Sequence, residues 1–426
     1  MGAEHTLAFE IGVEEIPAFD LDSATKQLAK LVPDALDAAR IPYGSFEVYS
    51  SPRRLIVMAY GVADATEALV EEHKGPAVRI AYDDQGNPTK AAAGFARGKG
   101  VSVDELERRA IDGVEYVFAS KSIPALPVID LLPAVLTGFI TAIKWPRSCR
   151  WADYDDYFVR PVRWIVALLD DQVVPVSFAN VRSGSRTMGH RVLAPGSHDV
   201  AHASALLDTV RAASVVPSQA EREGIIREGV AAIEAATGYR ADLPAKTLLE
   251  VTNLSEAPRP LAGTFDEEFL HVPEEIIVDA MLMHQRYFPL YDAQDHLTNR
   301  FIIVSNGDPA CDATIVDGNE RVVRARLDDA KFFYEEDLKK PLESYVDRLD
   351  EVVFQEALGT MRDKVDRLVD LGSHLADDAG LSADDAQDLV RACKLCKADL
   401  VTNAVIEFTS VQGVMGSYYA LASGEN

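Results

Sequence analysis

The sequence predicts an α+β protein. Two observations carry this reading. Short apolar runs of strand length alternate with helix-length apolar stripes up to about residue 315, and beyond Gly318 the pattern is helical almost without relief. The run 7–11 reads as a strand closed by Gly12, and Pro17 disfavours a helical Ile16. Asp20 or Asp22 can cap the next helix, whose broken stripe is Leu21, Ala24, Leu28, Leu31, Leu36 and Ala39, with Pro33 placed to divide it. Strands are expected at 46–49 and 55–60, around Ser50-Ser51-Pro52-Arg53-Arg54. The turn at 83–88 leads into a helix-compatible 89–97, and 116–120 is a further strand. A helix over 127–143 stops at Trp145-Pro146. Segments 158–169 and 173–178 read as strands or a strand and a short helix, and polar, glycine-containing 182–191 reads as a loop. Helical patterns at 201–215 and 218–237 join through Pro217, 247–254 suits a strand, 274–285 a helix, and 287–291 with 301–305 a hairpin. Helices are expected at 320–338, 342–354, 362–375, 383–402 and 411–422. The expected domains are an N-terminal α+β domain (1–200), a second α+β region packed with or inserted in the first (201–318), and a helical domain (319–426).

The chain has 426 residues, with 68 Asp plus Glu against 42 Lys plus Arg, a net charge of -26. With 48% hydrophobic and 26% charged residues it has the composition of a folded protein of two to four domains. No stretch approaches the length of a membrane span, and no basic segment precedes an apolar run near Met1, so neither a membrane helix nor a signal peptide is expected. Four cysteines exclude a disulfide-built scaffold and favour a reducing, cytoplasmic compartment. The net charge argues against non-specific coating of nucleic acid. The charge is uneven, however: 144–191 holds eight Lys or Arg against five Asp or Glu, and 341–390 holds thirteen acidic residues against four basic ones.

The common phosphate-cradling and nucleophile motifs, GxxxxGK[ST], GxGxxG after a strand and GxSxG, are missing. Cys393 and Cys396 form a CxxC inside a helical pattern. Two thiols do not complete a tetrahedral site, so neither a metal nor a functional disulfide is expected there. With His374 the one histidine of the helical tail, no set of metal-hydrolase ligands is expected, and no residue is assigned as catalytic. The candidate contacts to nucleic acid are basic clusters: Arg53 and Arg54 at a strand junction, Arg160, Arg163 and Trp164, and Arg182, Arg186 and Arg191. To these are added His284, Gln285 and Arg286 at a helix end, and Arg324, seven residues before Lys331 on one helix. Indole faces stack on bases or guanidinium, and arginine grips phosphate bidentately. Equally, each tryptophan can be a core residue, Arg160 and Arg163 can be buried partners of the acidic 153–156 cluster, and His284 and Gln285 can cap their helix.

The motifs themselves resemble a known family. Glu10 to Pro17, Ser51-Pro52-Arg53-Arg54-Leu55, Gly75-Pro76-Ala77-Val78 and the run 86–97 are similar to the beta subunit of bacterial tetrameric glycyl-tRNA synthetase. So are Lys144-Trp145-Pro146, the run 158–164, Gly189-His190-Arg191, the run 284–288, Val304-Ser305-Asn306-Gly307, the run 318–333, Lys397 to Leu400 and the run 411–416. The resemblance implies an α₂β₂ enzyme that joins glycine to tRNA(Gly). ATP, Mg²⁺ and glycine would be handled on the alpha subunit, with tRNA recognition and assembly on the beta subunit and no cofactor bound by this chain. It implies a B3/B4-type N-terminal fold without editing, since glycine leaves nothing smaller for a sieve to remove. An HD-like helical domain without a working metal site would follow. The family's beta subunit is considerably longer, so the chain is expected to be a fragment ending inside the HD-like portion. Leu395, Val405, Met415, Tyr418 and Tyr419 are then expected to be partly uncovered.

Overall fold

Leu7, Phe9, Ile11 and Val13 alternate with Ala8, Glu10 and Gly12, and both sets are buried. A strand with this pattern needs a layer on each face. The computed structural model, which describes residues 4–426, provides both. It divides into two units, up to Pro217 and from Ser218 onward.

In the first unit, β1 (Glu4–Val13) is followed by α1 (Ala18–Ala38), β2 (Ser45–Ser51) and β3 (Arg54–Ala63). A sub-structure follows, made of β4 (Leu69–Ala77), α2 (Val78–Ala81), α3 (Lys90–Lys99), β5 (Glu107–Ile111) and β6 (Val114–Ile123). Next come α4 (Val128–Ala142), β7 (Val162–Leu169), β8 (Gln172–Val173), β9 (Ser177–Phe178), β10 (Val181–Gly184), β11 (Arg186–Met188), β12 (Ser197–Asp199) and α5 (Leu206–Ala212). The main sheet runs β2-β3-β1-β7-β10-β9, with β1 antiparallel to both neighbours; Gly12 faces Arg54 on one side and Trp164 on the other. One face carries α1 and α4 through stripes such as Leu21, Ala24, Leu28, Val32 and Leu36, and α1 runs through Pro33 without dividing. The other face packs Ile56, Met58, Trp164 and Val166 against Leu206 and Val210 of α5. The segment expected as a loop, 182–191, holds parts of two short strands instead, because β10 adds to β7 in parallel at Ser183 and Gly184.

His5 closes the far end of β1. Its Nδ1 lies 2.6 Å from Asp170 and its Nε2 2.6 Å from Asp64. Carboxylates only accept, so both ring nitrogens must carry protons and the ring is an imidazolium. The bonds to Asp64 and then Asp170 hold its pKa above the ordinary histidine range. His202, 3.5 Å from Asp170, is the other titratable group there. A raised histidine pKa means stability that is complete below the ordinary value of about 6.5 and lost as pH climbs through the folded value. Asp170 has the opposite sign. Its burial alone would raise its pKa, but the Thr6 N–H and His5 outweigh this and lower it, so its contribution is lost only in acid. The first unit should therefore lose stability as pH rises from about 6.5 into the alkaline range, a small effect because Asp64 is solvent-exposed. Urea midpoints of His5→Asn should be flat over that interval, and a wild-type slope surviving in the variant would refute the assignment.

The second unit begins with α6 (Gln219–Thr237), capped by Ser218 and ended by left-handed Gly238. Then come β13 (Arg240–Ala241), α7 (Ala245–Leu254), β14 (Arg259–Thr264), α8 (Glu274–Asp279), which continues as a π-helical turn over Ala280–Gln285, β15 (Phe288–Tyr291) and β16 (Leu297–Ser305). Residues 247–254, expected as a strand, form α7; Thr247, Leu248, Val251 and Thr252 lie on a single buried face at helical spacing. The tail comprises α9 (Asp312–Asp337), a 3₁₀ stretch (Leu342–Glu351), β17 (Val353–Gln355), β18 (Gly359–Thr360), α10 (Met361–Ala379), α11 (Ala383–Leu395), a 3₁₀ turn (Ala398–Val401), α12 (Asn403–Glu407) and α13 (Val414–Ala422). The sheet β13-β15-β16-β14 packs α6 and α7 on one face. On the other, Phe265, Phe301 and Ile303 share one core with Leu327, Leu395, Val405, Met415 and Tyr419. The helices after residue 318 thus share the core on that face of the sheet. Leu395, Val405, Met415 and Tyr419, expected to be partly uncovered, are buried, and only Tyr418 is half-exposed. Among the described residues no helix is long and apolar enough to cross a membrane.

Candidate functional site

Three sequence clusters meet at one end of the first unit's sheet. Where β1 ends, Val13 N–H donates to Arg53 O (2.8 Å), Glu14 N–H to Pro161 O (3.1 Å) and Ile16 N–H to Pro52 O (2.7 Å). These bonds tie Glu14-Glu15-Ile16-Pro17 to Pro52-Arg53 and to Pro161, and so bring Arg53, Arg54, Arg163 and Trp164 together. Gly12 is needed here because Trp164 fills its side-chain space: a β-carbon on Gly12 would lie 1.9 Å from indole atoms. The guanidinium carbons of Arg53 and Arg54 each lie 5.5 Å from the indole centroid. The indole N–H is shielded from solvent and meets no acceptor among the described residues.

The two adjacent arginines differ. Arg54 is fully buried: it donates to Glu10 Oε1 (3.0 Å), to Thr187 Oγ1 (3.3 Å) and to Met188 O (2.9 Å), while Thr187 donates to Glu10 at 2.9 Å. This corrects its reading as an RNA contact, because a charge sealed beside a buried carboxylate cannot reach a ligand. Glu10 and Thr187 went unrecognised in the sequence; the available signal was a carboxylate inside the apolar run of β1. Arg53 donates to Gly189 O (3.1 Å) and is half-buried.

Arg163 and Arg191 face solvent and share one carboxylate. Glu14 lies 3.4 Å from Arg163 and 2.8 Å from Arg191, which also reaches Glu15 at 3.4 Å. The idea that Arg160 and Arg163 are buried partners of the 153–156 cluster is overturned: both are exposed, and Asp155 pairs with Arg150 instead. Arg182 is exposed on β10, and exposed Arg186 pairs with Asp199 at 2.8 Å. The result is an arginine-bearing edge, with Arg163 and Arg191 set against Glu14 and Glu15 and exposed Arg160 three residues before Arg163.

In the second unit, Arg286 takes a left-handed conformation (φ 58°) after the π-helical turn. Its Nη1 donates to His284 O (3.1 Å) and its Nε to Glu250 (2.8 Å), so the helix end is capped from its own side chain. His284 packs edge-on to Phe408 (5.7 Å) with Asp279 at 3.6 Å. Gln285, Arg286 and Tyr287 line a cleft of about 400 Å³ with Ser305, Asn306 and Asn319. Asn306 accepts from the N–H groups of Glu256 and Ala257, both at 2.9 Å, and Tyr287 is hydrogen-bonded to Asn319. Three motifs distant in sequence thus converge on one wall. Arg324 and Lys331 project from α9 but are matched by Asp266 (3.1 Å) and Glu268 (2.9 Å). Among the described residues, no three His, Cys, Asp or Glu side chains are grouped to hold a metal ion.

A family profile described as glycyl-tRNA synthetase beta subunit matches residues 7–426. The glycine–tRNA ligase beta subunit of Moorella thermoacetica is 43% identical over 419 residues, which cover 98% of this chain and 60% of that relative. That of Desulforamulus reducens is 42% identical over 416 residues (98% and 60%), and that of Synechocystis sp. 41% over 428 (99% and 59%). The chain therefore spans about three-fifths of the length of the curated relatives it matches. Several of the matched runs meet in the two clusters described: those around Glu14, Arg53 and Trp164 in one, and those around Gln285, Asn306 and Asn319 in the other. With the match continuous from residue 7 to 426, the chain belongs to the glycyl-tRNA synthetase beta subunit family.

Proposed function

We propose that this chain serves as the beta subunit of a glycine–tRNA ligase, contributing tRNA recognition and assembly to ATP-dependent attachment of glycine to tRNA(Gly). The ATP, Mg²⁺ and glycine site would lie on a separate alpha subunit of an α₂β₂ enzyme working in the cytoplasm. The observation that carries this reading is the family match over residues 7–426. The lack of the usual nucleotide-cradling motifs supports the division of labour. On the same reading the first unit is a B3/B4-type domain and the tail helices are HD-like. Glycine-dependent ATP–pyrophosphate exchange and tRNA charging, run with and without the alpha subunit, test it. Activity is expected only in the pair, and exchange by this chain alone would overturn the assignment of the site to alpha.

The exposed edge supplies the phosphate contacts in this reading. Replacing Arg163 and Arg191 together with alanine should weaken tRNA binding several-fold and flatten its dependence on salt, because two counterion-releasing contacts are lost. Replacing Glu14 with glutamine should strengthen binding by freeing both guanidinium groups from their shared partner. Filter binding across a salt series, with circular dichroism to confirm the fold, checks both. Unchanged affinity in the double variant would remove this edge from the RNA-binding surface. Arg53, Arg160, Arg182, Arg186, His284, Gln285, Arg286 and Arg324 remain secondary candidates for the same test.

A further inference from the structure

The cleft of about 400 Å³ in the second unit is built from the end of α7, the π-helical turn with Arg286, the end of β16 and the start of α9. Val251, Leu254, Ile303 and Ile315 give it apolar walls, and Leu254 keeps 47% of its surface exposed. Gly307 also lines it, and a β-carbon there would lie 2.8 Å from Ile315 Cδ1, so glycine keeps this space open. Among the described residues that line the cleft, Arg286 is the one that carries a charge. That charge is met by Glu250, 2.8 Å from Nε, while Nη1 donates to His284 O at 3.1 Å. The guanidinium is therefore pinned at two nitrogens, and the pair it forms with Glu250 is neutral, which offers a phosphate no net attraction. Several polar groups are already used: Asn306 accepts from two main-chain N–H groups, and Asn319 is bonded to Tyr287 and to Ile315 O. Others are not. The half-buried Gln285 side chain makes no hydrogen bond among the described residues, so its amide offers one donor group and one acceptor. Arg286 Nη2 has no acceptor among those residues. Ser305 Oγ accepts from Gly307 N–H at 3.1 Å, and its own proton likewise has no acceptor there. Three donor groups and one acceptor are left for a ligand.

We infer that this cleft is a binding site for an adenine base. Adenine is uncharged and planar, and when joined to ribose it carries ring-nitrogen acceptors at N1, N3 and N7 and one donor group, the N6 amine. That inventory is the complement of what the cleft has unused. Glutamine pairs with adenine through both ends of its amide, the oxygen accepting from N6 and the amine donating to the ring nitrogen beside it. The faces of a base stack on guanidinium planes and pack on apolar side chains, which Arg286 and the four aliphatic walls supply. Uracil has fewer acceptors for the unused donors, and guanine brings additional N–H groups to a cleft with one free acceptor. The backbone points the same way. Arg286 is held in the left-handed region at φ 58° directly after a π-helical turn, and such departures persist where ligands are positioned. The base can belong to an unpaired RNA nucleotide or to a free adenosine nucleotide, since recognition of the ring is the same in both. The inference stands apart from the reading of the chain as a tRNA-recognising subunit, which has its own test in exchange and charging with alpha.

The test uses the full 426-residue chain with adenosine and uridine in equilibrium dialysis, and with fluorescein-labelled hexamers of adenylate and of uridylate. In at least one of the two forms the adenine ligand should bind about tenfold more tightly than its uracil counterpart, the discrimination of one bidentate pair. Gln285→Ala should remove that preference by weakening the adenine ligand alone, and Gln285→Glu, which has no donor for a ring nitrogen, should remove it too. Displacement of the adenylate hexamer by free adenosine assigns the site to a free nucleotide; displacement by unlabelled hexamer or a tRNA(Gly) transcript alone assigns it to an RNA base. Either result supports adenine recognition. Photolysis with adenosine and with a hexamer carrying an 8-azidoadenine should label the tryptic peptides 247–286 and 301–321, which hold the cleft, and this readout needs no variant to fold. Equal affinity for adenine and uracil in both forms would overturn the inference. So would an adenine preference that survives in Gln285→Ala, or labels confined to other peptides.

Discussion

Arg54→Ala is expected to lower the stability of the first unit by about 3–5 kcal/mol, because it breaks a buried ion pair from one side. Arg54 and Glu10 are both fully buried and 3.0 Å apart, with Thr187 Oγ1 bonded to Glu10 and the Met188 carbonyl to Arg54. Removing the guanidinium takes a positive charge away from 3.0 Å of the buried Glu10 carboxylate on the central strand. The same change should leave the tRNA affinity of the protein that remains folded unaltered. Arg191→Ala should behave oppositely, changing stability by no more than about 0.5 kcal/mol while weakening binding. Replacing both charges, Glu10→Leu with Arg54→Met, should recover most of the stability, since an apolar pair of similar volume avoids desolvating two ions. Urea midpoints for the two single variants and the double variant form the required cycle. A loss of binding in Arg54→Ala without a loss of stability would return Arg54 to the RNA surface.

The contrast between Arg53 and Arg54 shows where the sequence stops being readable. Both follow Pro52 at a strand junction, and both present the same charge to any scan. Their separation depends on which face of β3 each occupies and on Glu10 arriving opposite, a tertiary fact with only a faint local trace. Strands buried on both faces, such as β1 and β3, were legible because continuous apolar runs of that length have few alternatives. Strands β4 and β5 were not, because charges, Glu71, Glu72 and Lys74 in one and Glu107, Arg108 and Arg109 in the other, interrupt any apolar run. In α7 the expected strand gave way to a helix, with Thr247, Leu248, Val251 and Thr252 buried on one face. At the site, Arg53 on the one hand and Arg163 with Trp164 on the other were legible only as two separate motifs. The main-chain bonds that join them, and the pairing of Glu14 with two arginines, depend on the folded turn.

Asp337→Ala is expected to cost the second unit about 3 kcal/mol or more, by unseating the last helices from the core they share with the sheet. Asp337 is buried at the end of α9. It accepts from Asn403 N–H (2.9 Å), Ala404 N–H (2.9 Å), Asn403 Nδ2 (2.8 Å) and the Tyr419 hydroxyl (3.0 Å). The first two are the open N–H groups at the start of α12, so one carboxyl group caps that helix and also anchors α13 through Tyr419. Burial first, and then Asp337, push the Tyr419 hydroxyl well above its ordinary pKa, so it stays a proton donor through the neutral range. Alanine leaves at least two backbone donors and one hydroxyl buried without an acceptor, each costing about 1–3 kcal/mol. Asp337→Asn keeps one acceptor oxygen but turns an amide toward the other donors, and should lose about half as much. Hydrogen exchange distinguishes anchoring from a general loss of stability. Protection should collapse over residues 403–420 in the alanine variant while α6 and α7, on the other face of the sheet, hold theirs. Equal loss in both regions would mean that Asp337 contributes to the core as a whole and that the tail has no anchor of its own.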